Sequence, residues 1–295
     1  MAILLRAAPG IFVVLWATGF IGARLAMPHS EPGTFLALRS ACAFALLAAL
    51  SLALGARWPR GRDALACIGV GALLHGLYLG GVFWAVDRGM PAGISALLVG
   101  LQPVLTAFLA WGALGETISA RHWTGLAVGF AGVALVLSPT LDAGALAGVT
   151  AATLGACALA VIAVSTGTVW QKTAGHGLDL RAATALQYVG GFVPPALLAF
   201  TWETRAIDWT WQMWTAMIWA IFGLSIGAVL LLLWLIREGS VARVSSLFFL
   251  VPSVAALMAF ILFGEALAPI QVAGMAVAAA GVALATRAPR SRARA

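Results

Sequence analysis

Charge is scarce in this chain: 17 basic and 10 acidic side chains make up 9% of 295 residues, against about 25% in ordinary soluble domains. With 62% hydrophobic residues, such a chain cannot hide its apolar surface from water, and a water-soluble globule is excluded. Lysine is nearly absent. Lys172 is the single example and no GxxxxGK[ST] run exists, which excludes phosphate binding by a P-loop and so ATP hydrolysis of that type. Cys42, Cys67 and Cys157 lie in apolar stretches without CxxC spacing, so they read as small packing residues rather than a disulfide framework. The four histidines, at 29, 75, 122 and 176, fall in separate segments. They form no metal or catalytic constellation, which argues against a membrane enzyme and implies no cofactor. Rings of like charge or a repeated filter motif, the marks of a pore, are also missing. All ten acids lie in polar breaks or at the ends of apolar runs, so no carboxylate is placed for ion coupling at mid-membrane depth.

Long apolar runs are what the chain has in abundance. Spanning the hydrocarbon core takes about 20 apolar residues per helix, and ten such runs occur near 9–27, 32–54, 64–86, 92–113, 122–139, 144–170, 180–200, 212–236, 241–263 and 269–286. Backbone groups in lipid must be satisfied internally, and the runs lack the alternation of a barrel strand, so helices are the solution. Topology follows from the bases. With a cytoplasmic N-terminus, 13 of 17 lie in inside segments, Arg24, Arg88 and Arg205 lie outside, and Arg39 falls within a span. This asymmetry places both termini in the cytoplasm of a multi-pass inner-membrane protein. The net charge of +7 therefore reflects orientation, and the scattered bases offer no nucleic-acid surface. Arg6 ahead of the first run resembles a signal sequence, but no small-residue cleavage site precedes Pro28, so the run is expected to remain as a helix.

The chain also repeats itself. Trp84, Gly89 and Ser95 match Trp234, Gly239 and Ser245 at an offset of 150, and Pro103, Gly115, Glu116, Gly125 and Gly132 match Pro252, Gly264, Glu265, Gly274 and Gly281 at 149. From Pro103 onward 13 of 34 pairs are identical. A weaker match at 148 pairs Thr18-Gly19 with Thr166-Gly167, Arg24 with Lys172, Glu31 with Asp179 and Arg39 with Gln187. Units of 1–142 and 143–295 then hold five spans each. An odd number inserts the second unit upside down relative to the first, the arrangement used for alternating access around a midplane site.

Leu15-Trp16-Ala17-Thr18-Gly19-Phe20, Leu38-Arg39, Leu101-Gln102-Pro103-Val104 and the stretch from Leu114-Gly115-Glu116 to Gly132-Val133-Ala134-Leu135 resemble the EamA-type repeat of the drug/metabolite transporter superfamily. The resemblance covers nearly the whole chain, and within the superfamily the chain is similar to the YddG-type amino-acid exporters. It implies an all-α integral membrane protein, ten transmembrane helices as two inverted five-helix repeats around a central cavity. It further implies export of amino acids and related small metabolites, with no enzymatic activity. The alternative substrates are a cationic drug, which calls for a buried acid or aromatic walls, and a nucleotide sugar, which calls for several midplane bases. The sequence sets no oligomeric state, and a monomer is compatible with it.

Candidate site residues are the few that need a partner in lipid. Arg39 lies about 12 Å along its helix from Glu31, where a guanidinium either holds a substrate carboxylate or ties helices together. His75 and Tyr78, three apart, are expected on one helical face, lining a cavity or packed against a neighbour. Trp16, Tyr78, Trp170 and Tyr188 are expected as aromatic walls, and Arg39, His75, Gln102 and Gln187 as polar contacts, a set suited to a zwitterion with a variable side chain. Glu116 and Glu265 at span ends are expected to cap the following helix or pair with a nearby loop base. Pro103 and Pro252 are expected to break spans four and nine. Trp58, Trp84, Trp111, Trp123, Trp202, Trp209, Trp211, Trp214 and Trp234 read as interfacial anchors. With no buried acid, transport is expected to be facilitated, His75 being the one group able to supply a weak proton link.

Overall fold

The structure, a computed structural model, describes residues 2–141 and 148–287, with side chains from residue 7 onward. The expected junction at 142/143, the first residues of the run expected from 144 and Arg290, Arg292 and Arg294 lie outside the described residues. Among the described residues, ten helices are long and apolar enough to cross a membrane. They are α1 (Ala2–Ala26), α2 (Pro32–Ala53), α3 (Arg62–Asp87), α4 (Ala92–Leu114), α5 (Ala120–Thr140), α6 (Ala151–Ala174), α7 (Leu180–Trp202), α8 (Trp211–Glu238), α9 (Val241–Phe263) and α10 (Pro269–Thr286). Each falls within one of the ten expected runs, give or take a few residues, except that α1 begins at Ala2 rather than 9 and α6 at Ala151 rather than 144. No strand occurs among the described residues beyond a single bridge between Ser30 and Ile207. The protein is an all-helical, multi-pass membrane protein.

Short polar side chains start several of these helices. Ser119 accepts from the His122 N–H, Thr150 and Thr153 form a capping box, and Thr210 accepts from the Met213 N–H, each satisfying a donor the first turn leaves open. Gly115 and Gly264 end α4 and α9 in the left-handed region, at φ of 66° and 67°, a conformation that side-chain-bearing residues resist. The duplicated Gly-Glu pair therefore stops the helix with its glycine and leaves its glutamate in the turn.

The interiors of four spans are irregular, in matching places. α3 widens into a π-helical turn at Ala72–Leu77 and α8 does so at Ala220–Ala228. α4 breaks between Val99 and Gln102, and α9 passes through a 3-10 segment at Leu247–Leu250. Pro103 and Pro252 follow those breaks directly. Each lacks the N–H that the carbonyl four residues earlier would receive, which is why the helix cannot run straight through.

Packing relies on absent side chains. A Cβ on Gly129 would meet the Phe249 ring at 2.5 Å, and Gly125 and Gly281 hold the α5 and α10 backbones in contact. Gly71 of α3 lies against the Gln187 backbone of α7, and Gly190 of α7 lies against the Ile68 carbonyl of α3. Without a hydrophobic drive between helices in lipid, such close approach supplies the van der Waals contact that holds them.

Candidate functional site

A cavity of about 600 Å³ runs from the broken centres of α4 and α9 to the face where α1 ends and α4 begins. Its depth is set by Gln102, Pro103, Val251 and Pro252, and its mouth by Arg24, Met27, Asp87 and Ala92. Trp16, Phe20, Tyr78, Phe83 and Phe248 furnish aromatic walls. Trp16 and Phe248 meet edge to face at 5.2 Å, with Phe12 completing the stack at 5.4 Å and 5.3 Å, a geometry that fixes the wall rigidly. Polar groups are sparse inside, chiefly Gln102, whose Nε2 lies 3.4 Å from the Thr106 hydroxyl, and the buried Ser95. Val99 and Phe248, four residues before the two prolines, both line this space.

The opposite end is tied shut around the turn between α8 and α9. Lys172 at the end of α6 donates to the carbonyls of Ile236, Arg237 and Gly239, each at 2.8 Å. The Glu116 carboxylate accepts from the Ser240 hydroxyl at 2.6 Å and from the N–H groups of Val241 and Ala242 at 2.8 and 3.2 Å. Positive charge thus meets the carbonyl end of α8 and negative charge the amide end of α9, both favourable to the helix dipoles. The Arg237 guanidinium adds bonds to the carbonyls of Gly175 and Leu178. Asp179 caps α7, and the Arg181 guanidinium bonded to it holds its carboxyl below the ordinary carboxylate range.

The residues expected as one site fall into three places. Trp16, Tyr78 and Gln102 line the cavity. Arg39, His75, Gln187 and Tyr188 gather instead in a buried polar cluster among α2, α3, α7 and α8, outside the cavity lining. There Arg39 Nε donates to the Ser225 hydroxyl at 2.7 Å, Tyr188 donates to the Ser225 carbonyl at 2.9 Å, and His75 stacks on Tyr188 at 4.7 Å. Gln187 Nε2 donates to Gln171 at 2.7 Å. Among the described residues, His75 Nε2 and Gln187 Oε1 find no hydrogen-bond partner. Trp170, 39% exposed, presses its ring against Gly69 on the flank of the bundle. His75 and Tyr78 serve different surroundings because the π-helical turn between them widens the helix and alters its angular step. Phe248, Phe83 and Arg24 were not among the expected contacts; the position of Phe248 one turn before Pro252 was the available signal.

The glutamates also part. Glu116 caps a helix in the other half of the chain rather than the next one, whereas Glu265 pairs with Arg24 at the cavity mouth. Glu31 and Glu203 exchange bonds near that face: Glu203 accepts from the N–H groups of Gly33 and Thr34, and Glu31 from those of Thr204 and Arg205.

Two stretches, residues 10–138 and 151–287, each match the EamA-like transporter family. An uncharacterized transporter of Bacillus subtilis, YvbV, is 27% identical over 92% of this chain and 88% of its own. A protein of Streptantibioticus cattleyicolor named a probable terminal-alkyne amino-acid exporter is 28% identical over 93% of this chain and 91% of its own. A solved crystal structure sharing 20% identity superposes with a TM-score of 0.80 over 95% of both chains, a likeness of fold. With the family pattern matched twice and each match spanning five of the ten helices, the chain belongs to the EamA-like transporter family.

Proposed function

We propose that the protein exports amino acids of a broad range, aromatic ones included, and related small metabolites across the inner membrane by alternating access. The observation that carries this reading is the cavity. It is closed at one face, open at the other, walled by aromatic rings and holds only a few hydrogen-bonding groups. Rings accept many apolar side-chain shapes, while Gln102, together with carbonyls near the two helix breaks, offers polar groups for the ends of a zwitterion. Trp16, Tyr78 and Gln102 are the proposed direct contacts. The Arg39, His75, Gln187 and Tyr188 cluster is proposed as the support that positions the π-helical turn of α3 behind them. A relative named for amino-acid export points the same way.

Both termini are proposed to be cytoplasmic, so the cavity mouth faces outward in this structure. The five-helix units, 1–142 and 143–295, are proposed to be inverted copies, since each contributes an odd number of spans. Charge argues against a nucleotide sugar: the cavity's charged residues, Arg24 and Asp87, stand at the mouth with opposite sign. Transport is proposed to run down the substrate gradient, because among the described residues every acid lies in a turn or at a helix end. A competition panel in proteoliposomes tests the reading. Leucine, phenylalanine and other neutral amino acids should compete for efflux of a labelled amino acid, whereas a nucleotide sugar and a quaternary ammonium should not. Uphill accumulation driven by an imposed pH step, lost in His75→Ala, would refute simple facilitation.

A further inference from the structure

The contacts that close one face have counterparts, residue by residue, at the open one. Lys172 corresponds to Arg24 at an offset of 148, and Glu116 to Glu265 at 149. The clamped carbonyls of Ile236, Arg237 and Gly239 correspond at 150 to those of Val86, Asp87 and Gly89, and Ser240, Val241 and Ala242 correspond to Met90, Pro91 and Ala92. Arg24, Val86, Asp87 and Ala92 all border the cavity mouth. Yet in place of gripping that turn, Arg24 and Glu265 pair with each other, about half exposed, and the guanidinium lies 4.2 Å above the Phe263 ring.

The geometry points to a two-part latch at the cavity mouth: on closing, Arg24 and Glu265 give up their mutual ion pair and grip the 86–92 turn, Arg24 on its carbonyls and Glu265 on the amide end of α4. This rests on the alternating-access reading above. The ion pair keeps both charges satisfied while the mouth is open, and an exposed pair is held weakly enough to exchange. The two latches are unequal. Glu116 has three donors on the closed face, from Ser240, Val241 and Ala242. At the mouth Met90 has no hydroxyl and Pro91 no N–H, so of those three positions only Ala92 keeps its donor. The mouth latch is therefore the weaker one, and the protein rests with its mouth open.

Two single substitutions trade the difference between faces. Pro91→Val restores a donor at the mouth, and Val241→Pro removes one from the closed face at a first-turn position that tolerates proline. Both should shift the population toward the closed mouth, by about tenfold for a hydrogen bond to a charged acceptor. The readout is labelling of Val99→Cys, with Cys42, Cys67 and Cys157 changed to alanine, by a membrane-impermeant maleimide in right-side-out and inside-out vesicles. Labelling from the mouth side should slow in both variants and labelling from the other side should quicken. Spin labels at the exposed Arg88 and Ala266, on opposite rims of the mouth, should show a larger short-distance population in Pro91→Val, a readout independent of vesicle orientation. Labelling from both sides that ignores both substitutions, with unchanged spin distances, overturns the latch alone. Labelling confined to the mouth side in every variant overturns alternating access and the latch with it.

Discussion

The cavity and the polar cluster beside it are built from similar residues to opposite ends. In the cavity, the partly exposed Trp16 and Tyr78 face open space, and Gln102, itself nearly buried, borders it at its deep end. A helix layer away, Arg39, His75, Gln187 and Tyr188 are buried; Arg39 and Tyr188 bond to Ser225, Gln187 donates to Gln171, and His75 stacks on Tyr188. Polarity within a membrane protein thus divides into groups that wait for a ligand and groups that fix helices. Substitutions should separate the two regions by which measurement they move, abundance or transport.

The largest expected effect is at the floor of the cluster. Gly71→Leu drives a side chain into the Gln187 backbone, a cost above about 3 kcal/mol, and should abolish folded protein by size-exclusion fluorescence. Arg39→Met strips the Ser225 hydroxyl of its donor; a stability loss of about 1–3 kcal/mol should appear as a lower melting temperature. Total transport should fall only through that loss and stay unchanged per folded molecule. The reverse split is expected at the cavity. Tyr78→Ala and Gln102→Ala should each raise the half-saturating substrate concentration about tenfold, the factor carried by roughly 1.4 kcal/mol of contact, with folded abundance intact. If Arg39→Met lowered transport with no loss of stability, the division between the two regions would collapse.

The smallest effect lies outside both. Asp179 has its folded-state pKa lowered by the Arg181 guanidinium, so its contribution is present above the ordinary carboxylate range and is lost as pH falls through and below that range. Asp179→Asn should flatten the small dependence of melting temperature on pH between about 5 and 3 without altering transport at neutral pH.

The spans were legible because each is a long apolar run, and the chain-halving duplication was legible because prolines, glycines and Gly-Glu pairs recur at nearly constant offset. Placement within the bundle was not. Local spacing put His75 and Tyr78 on one face, but the π-helical turn between them is set by packing against α7 and cannot be read from local periodicity. Trp170 carries the same residue type as Trp16, yet one faces the flank and the other the cavity, since which side of a helix faces a neighbour depends on tertiary contacts. Glu116 finds its donors about a hundred and twenty residues away, a separation over which local sequence says nothing.

Counterflow in proteoliposomes tests the central claim most directly. Vesicles preloaded with unlabelled phenylalanine and diluted into a trace of labelled phenylalanine should accumulate label transiently, and Tyr78→Ala with Gln102→Ala, at matched incorporation, should suppress the peak. An equal peak in that double variant would contradict the cavity as the path, and no peak for any neutral amino acid with the unaltered protein would contradict the proposed substrate.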